Sequence, residues 1–343
     1  MNYKLFGRTG LRVSELCLGA MGFGTEWGTG ADKTESKKVF SAFLNAGGTF
    51  IDTANRYTEG SSELFLGEFS EGMRDRLVIA TKYSLYTKKG DLNDAGNSRK
   101  NMFRSVEGSL TRLNTDYIDI LYLHAWDFTT PVEEVLRGLD DLVRMGKVLY
   151  IAISDTPAWV ISNSLAISEL RGWSSFAGVQ LEYSLIKRDA ERDLIPMAKH
   201  FDLAVTAWAP LGGGVLTGKY LDHSSSDMRI KPGSKRLDER NTGIAREVVR
   251  IASEAGVSPS SVALNWLRAK GQNIFPVIGA RKEEQILDNL KCLDSVISPE
   301  HMELLDKLSA IEPGFPHDFL SGDIATELLF GGMQKQFINH RKK

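Results

Sequence analysis

With 343 residues, 42% of them hydrophobic and 25% charged, the chain has the balance of a globular protein with a large core, not of a disordered one. Its 42 Lys and Arg against 44 Asp and Glu leave no net field drawing it to nucleic acid or an anionic membrane, so small-molecule chemistry is the expectation. No run reaches the roughly 18 uncharged apolar residues of a membrane span, and Lys4, Arg8, Arg12 and Glu15 interrupt the stretch where a secretory leader needs an unbroken apolar core. Cys17 and Cys292 lie far apart, each within an apolar pattern, which fits unpaired thiols in a reducing cytoplasm.

Along the chain, short β-branched runs alternate with longer stretches of helical period, and no composition break marks a linker. The first run, Glu15 to Leu18, leads into a glycine-rich segment. Thr49 to Asp52 and Leu77 to Thr81 follow. Phe103, Val106, Leu110 and Leu113 then share one helix face ahead of the run Ile118 to Leu123. Val132, Val135, Leu136, Leu139, Leu142 and Val143 make a second apolar face, and Gly146 stands where a glycine ends a helix. Val148 to Ser154, Gly178 to Glu182, Ala204 to Trp208 and Ile274 to Ile278 complete eight strand candidates.

Eight such units, in a chain longer than the roughly 250 residues of a minimal barrel, predict one (β/α)₈ TIM barrel domain spanning residues 1–343. The surplus falls in three places. One is an N-terminal extension before the first barrel strand. Another is a polar loop after strand seven, Leu221 to Asn241, with Ser224, Ser225, Ser226, Pro232, Gly233 and Ser234, long enough for a lid or cofactor clasp. The third is a C-terminal tail after Leu308.

Several chemistries are disfavoured by spacing. Gly22 and Gly24 are followed by Trp27 where the open-sheet dinucleotide fingerprint needs glycine. Gly213 to Lys219 is close to a phosphate-binding P-loop, but Tyr220 replaces the magnesium-binding Ser or Thr. His124, His200, His223, His301, His317 and His340 form no H-x-H or H-E-x-x-H pair, so no metal is expected. No G-x-S-x-G elbow is present.

Barrel strands deliver the residues at their C-terminal ends to one face, so polar residues there are candidates for chemistry. Asp52 ends the second strand, Lys82 follows the third, His124 ends the fourth, and Tyr57 lies five residues past Asp52. Singly, Asp52 reads equally well as a helix cap, Lys82 as a solvated strand end, His124 as a core histidine and Tyr57 as a packing aromatic. Jointly they make a proton-transfer site. A phenol with a pKa near 10 is a slow acid; Lys82 would lower it, Asp52 would hold Lys82 charged, and His124 would orient a substrate oxygen.

In Asp52-Thr-Ala-Asn-Arg-Tyr57, Thr81-Lys82 and Leu121-Tyr-Leu-His124 the chain resembles the aldo-keto reductase family, in the branch that includes potassium-channel β subunits and bacterial reductases. The likeness runs from Leu5-Phe-Gly-Arg-Thr-Gly-Leu-Arg-Val-Ser14 through Leu18-Gly-Ala-Met-Gly-Phe-Gly24 to Ile278-Gly-Ala-Arg281. It implies a barrel, NADP(H), reversible reduction of aldehydes and ketones, and catalytic roles for Asp52, Tyr57, Lys82 and His124. It further implies cofactor contacts. Met21, Asp52, Ser154 and Gln180 would lie at the nicotinamide, with Trp208 stacked on the ring. Ala209, Pro210, Leu211, Gly213 and Lys219 would strap the pyrophosphate. Gly279, Arg281, Gln285, Asp288 and Asn289 would meet the adenosine end, Arg281 favouring the 2′-phosphate of NADP. The family pattern is Ser-Asn after strand five. Here it is Ser154-Asp155, and a carboxylate only accepts where an amide also donates.

Two other classes stay open on these residues: an NADP(H)-binding sensor or regulatory subunit with weak turnover, and a Schiff-base lyase using Lys82, against which Asp52 as ionic partner argues. For the substrate, Trp27, Tyr83, Tyr86, Trp126 and Phe128 lie in positions to line a pocket, with Phe315, Pro316, His317 and Phe319 of the tail as a further wall. Neither the particular carbonyl nor the oligomeric state is readable.

Overall fold

A computed structural model describes residues 1–221, 230–231 and 233–339. The chain opens with β1 (Tyr3–Leu5) and β2 (Arg12–Ser14), an antiparallel hairpin that forms the extension expected before the first barrel strand. Then follow β3 (Cys17–Gly19), α1 (Lys33–Asn45), β4 (Phe50–Asp52), α2 (Ser61–Phe69), β5 (Val78–Tyr83), α3 (Arg99–Leu113), β6 (Ile118–Leu123), α4 (Val132–Arg144), β7 (Val148–Ser154), α5 (Ala158–Arg171), β8 (Gly178–Glu182), α6 (Leu194–His200) and β9 (Ala204–Trp208). After these come α7 (Glu239–Ala255), α8 (Pro259–Ala269), β10 (Ile274–Gly279), α9 (Glu283–Leu290), α10 (Pro299–Leu308), α11 (His317–Ser321) and α12 (Asp323–Phe330). Among the described residues, β3 to β10 pair in parallel and in sequence, and β10 closes on β3 to make an eight-stranded barrel. The expected (β/α)₈ fold is therefore present.

Local chemistry explains the helices. α4 buries Val135, Leu136, Leu139 and Leu142, carries Glu133 and Glu134 in its first turn and Arg144 in its last, and gives way to Gly146 at φ +72°. α8 and α10 each start on a serine cap, Ser258 or Ser298, followed by proline at the first helical position. α7 is capped by Asp238, whose carboxylate accepts from the Asn241 N–H at 2.8 Å, so the long loop ends at Asp238 and Glu239 to Asn241 are helical. Ser224, Ser225, Ser226 and Pro232 of that loop lie outside the described residues.

The hairpin plugs the N-terminal end of the barrel. Phe6, at its turn, is fully buried against Phe50 and Phe275, with ring centroids 5.7 and 6.0 Å away. A Cβ on Gly178 would stand 2.7 Å from the Phe6 ring, and one on Gly7 only 2.3 Å from the Ala177 carbonyl oxygen, so both positions need glycine. Glu15, expected in the first strand, instead accepts from Arg268 at 2.7 Å and from the Asn2 N–H at 2.7 Å, so the strand begins at Cys17. A carboxylate with a cation in reach is more stable in that bridge than inside a barrel wall.

The C-terminal tail forms the two short helices α11 and α12. Phe315 and Phe319 are exposed and touch each other, ring centroids 6.5 Å apart, and do not form the pocket wall expected of them. Removing the plug by Phe6→Ala should cost about 3–5 kcal/mol. Urea unfolding measures this, and a loss under about 1 kcal/mol would show that the hairpin does not hold the barrel closed.

Candidate active site

Side chains alternate along a strand, so each barrel strand sends every second residue inward. Phe50 and Asp52 on β4, Val78, Ala80 and Lys82 on β5, and Gly178 and Gln180 on β8 follow this rule, apolar near the plug and polar at the other end. His124 stands two residues past the inward Tyr122, just beyond β6, with its backbone N–H on the Tyr83 carbonyl at 2.9 Å. The same alternation turns Tyr83 outward into the core, where it is buried against α3 residues, so it does not line a pocket as expected. Lys82 lies within β5, one residue before its end, and not beyond it.

Lys82 is completely buried, and its three N–H donors have three acceptors: Asp52 Oδ2 at 2.7 Å, the Thr53 carbonyl at 2.7 Å and the Tyr57 hydroxyl at 3.1 Å. The second oxygen of Asp52 accepts from Gln180 Nε2 at 2.8 Å. Tyr57 begins a tight turn in which Thr58 and Glu59 take φ of 47° and 55°, and its ring meets His124 edge-on at 5.7 Å and Trp27 at 6.4 Å. Asp52, Tyr57, Lys82 and His124 thus come together.

Their protonation follows from burial and neighbours. Burial opposes the charge of Lys82, but Asp52 and Tyr57 more than offset it, and the ammonium is held above the ordinary lysine range. Burial also pushes the Tyr57 phenol up, and Lys82 pulls it down without winning. The lowering expected of Lys82 is present, but desolvation of the phenol outweighs it, and the strand pattern alone does not reveal that balance. For His124, burial and then Lys82 bring the imidazole down to about 3, which keeps it neutral. Its Nδ1 is buried with no hydrogen-bond partner among the described residues.

Of the other expected contact residues, Met21 is half-buried in the loop after β3, and Ser154 is buried at the end of β7. Trp208 ends β9, with its indole half-open to the cleft. Ala209 takes φ +51°, and Gly212, Gly213 and Gly214 take 60°, 71° and 94°, after the buried Pro210 and half-buried Leu211. A Cβ on Gly213 would meet Ile230 at 3.0 Å, and one on Gly214 would meet Cε of Lys219 at 2.8 Å, so this tight turn, in which the Gly212 and Gly214 N–H groups donate to the Ala209 and Leu211 carbonyls, needs its glycines. Past Gly279, Gln285 Oε1 accepts from the Arg281 N–H at 2.9 Å, Asn289 is buried with its amide 3.5 Å from the Gly279 carbonyl, and Asp288 pairs with Lys291 at 3.4 Å. Gln285 and Asn289 therefore brace the loop that carries Arg281.

Glu182 was missed in the sequence, although it ends β8 and meets the criterion that singled out Asp52; its Oε1 accepts from Arg236 at 2.5 Å. Arg56, beside Tyr57, was missed too. Its guanidinium lies 5.8 Å from the Trp27 ring and 4.5 Å from that of Tyr86, and it donates to the Tyr86 hydroxyl at 3.2 Å. Among the described residues, six of the eight non-glycine positions with positive φ, namely Thr58, Glu59, Ser84, Phe128, Asp155 and Ala209, stand in loops on this face. Such concentration of unfavourable backbone is characteristic of functional sites.

The model of the Aldo/keto reductase family matches residues 15–310, and the chain belongs to that family. It is 41% identical over 339 residues, covering 92% of this chain and 87% of the relative, to an aryl-alcohol dehydrogenase [NADP(+)] of Phanerodontia chrysosporium. It is 37% identical to the aldo-keto reductase ausK of Emericella nidulans, covering 99% of this chain and 91% of the relative. To the norsolorinic acid reductase of Aspergillus flavus it is 38% identical, covering 92% and 83%.

The protonation states carry a pH prediction. With His124 at about 3 and Tyr57 above its ordinary value, neither group titrates near neutrality, so kcat for carbonyl reduction should be flat from about pH 6 to 9 and fall only above the ordinary tyrosine pKa of about 10. An inflection near 6.5 would contradict the neutral imidazole.

Proposed function

We propose that this chain reduces aromatic aldehydes and ketones with NADPH and runs the reverse oxidation of the alcohols, with Tyr57 as the proton donor. The observation that carries the reading is the Lys82 ammonium, 3.1 Å from the Tyr57 hydroxyl and 2.7 Å from Asp52. The cofactor fits the residues present: a left-handed glycine turn beside Lys219, a cation at the start of α9, and the His124 ring set edge-on against the phenol. Gly213, Lys219 and Arg281 would hold its phosphates, Trp208 and Gln180 its nicotinamide end. When bound, NADPH supplies the hydride.

The residues of the chain supply the rest. His124, neutral, donates a hydrogen bond that orients the carbonyl oxygen toward Tyr57. As the carbonyl carbon gains the hydride, its oxygen takes the Tyr57 proton and the product is the alcohol. The phenolate left behind lies against Lys82, which lowers the cost of its charge, while Asp52 keeps Lys82 protonated and aimed. Solvent then returns the proton to Tyr57. In the oxidative direction the same phenolate removes the proton of the alcohol.

An aromatic substrate is supported by the relatives named aryl-alcohol dehydrogenases and by the walls of the cleft. Trp27 stands edge-on to Tyr57, with Arg56 and Tyr86 stacked behind it, so a flat ring entering toward the phenol meets aromatic faces. Phe128 is exposed beyond them and Trp126 is half-buried. No helix among the described residues is long and apolar enough to cross a membrane. We read the setting as cytoplasmic, in keeping with Cys17 and Cys292, both buried and unpaired.

Tyr57→Phe should lower kcat for benzaldehyde reduction by about 10²–10⁴-fold while changing the Kd of NADPH by less than about threefold. Stopped-flow turnover and fluorescence titration measure the two quantities. A variant within about tenfold of the wild-type rate would remove Tyr57 from the proton path.

A further inference from the structure

We propose that Asp155 makes this site favour the oxidised cofactor: its carboxylate, which has no ion-pair partner among the described residues, is placed to meet the cationic nicotinamide ring of NADP⁺. The inference rests on the cofactor placement given under the proposed function and concerns what that placement does to the balance between the two redox forms.

The neighbouring acids Asp52, Glu182 and Asp189 are each paired. Asp52 is matched by Lys82 at 2.7 Å, Glu182 by Arg236 at 2.5 Å, and Asp189 by Lys187 at 2.7 Å and Arg192 at 2.6 Å. Asp155 has no cation within ion-pair distance among the described residues. Its Oδ1 accepts instead from the neutral indole N–H of Trp208 at 3.3 Å. Burial pushes the Asp155 carboxyl up while the Trp208 N–H and Lys82 pull it down, and with His124 neutral and Tyr57 protonated neither of these neighbours supplies it with an ion pair.

Its backbone keeps it there. Asp155 takes φ +41°, its N–H donates to the Gln180 carbonyl at 3.4 Å, and its own carbonyl accepts from the Trp126 N–H at 3.4 Å. The side chain is thus set between Gln180 and Trp208, the two residues assigned to the nicotinamide end, and shares one cavity wall with them and Glu182. A left-handed residue held from both sides is a built feature of the loop.

The two forms of the coenzyme differ in this region by one charge: the ring is positive in NADP⁺ and neutral in NADPH. A fixed carboxylate acts only on that difference. At a few Å in a solvent-open cleft one unit charge is worth about a factor of five in affinity. An asparagine in the same place would keep an acceptor for Trp208 and exert no such pull. By linkage, binding the oxidised form more tightly makes the bound couple a stronger hydride donor, by about 30 mV for each tenfold in the ratio of dissociation constants. Asp155 therefore tilts the site toward reduction and slows release of NADP⁺.

The test is the ratio of Kd values for NADP⁺ and NADPH, measured by quenching of tryptophan fluorescence in the wild type and in Asp155→Asn. Asparagine tolerates the left-handed backbone, so the fold should be kept. The expected result is a ratio that moves about fivefold toward NADPH, through weaker NADP⁺ binding, with the melting temperature unchanged. A ratio constant within twofold, or one that moves toward NADP⁺, overturns the proposal. The wild type alone supplies a second measurement. Its preference for NADP⁺ should narrow as salt is added, since the two coenzymes share their phosphates and differ in the ring charge; a salt-independent ratio overturns the proposal equally. Failure of the wild type to bind either coenzyme would refute the cofactor placement itself, and this inference with it.

Discussion

A lysine ammonium with no water around it is the constraint on which the site depends. Burying such a charge unpaired would cost several kcal/mol, and the cost is met only if every donor finds an acceptor in good geometry. Lys82 therefore dictates where Asp52, the Thr53 carbonyl and the Tyr57 hydroxyl stand. Asp52 in turn ties to Gln180 across the barrel, so one cation aligns groups from β4, the loop after it, β5 and β8. The chemistry uses what stability already requires: the group that satisfies the third N–H of Lys82 is the phenol that gives up its proton.

The barrel makes this burial possible by separating its ends. At one end Phe6, Phe50 and Phe275 fill the interior, and glycines at positions 7 and 178 let the plug approach the strands. At the other, inward positions turn polar and the loops take up left-handed backbone, from Thr58 to Ala209. In between, the Tyr122 hydroxyl and Thr206 Oγ1 lie 3.0 Å apart and join β6 to β9 through the interior. Packing at the bottom holds the frame, and strained loops at the top aim the reactive groups.

Much of this was legible because two periodicities carry it. β6, β7, β8 and β9 begin and end where the apolar runs do, and the period of two places Asp52, Lys82 and Gln180 on one face before any fold is known. What stayed hidden depends on contacts distant in sequence. The strands of the hairpin are three residues long, too short to show alternation, and Phe6 gains its meaning only from β4 and β10. Glu15 could be placed only once Arg268 was known to face it, and Tyr83 required knowing that β5 runs two residues past Thr81. The net rise of the Tyr57 phenol comes from desolvation by groups distant in sequence, and no local pattern reports that. In the tail, aromatic composition looked like a pocket wall, but helices of five and eight residues have little face to bury.

The most direct test of this account is a double-mutant cycle on Asp52→Asn and Lys82→Met, read by unfolding free energy. Each single variant strands a buried charged or polar partner and should lose about 3–5 kcal/mol. The double variant, with no uncompensated charge, should be at least as stable as either single one. Losses that simply add would contradict the claim that a single buried ion pair organises the site.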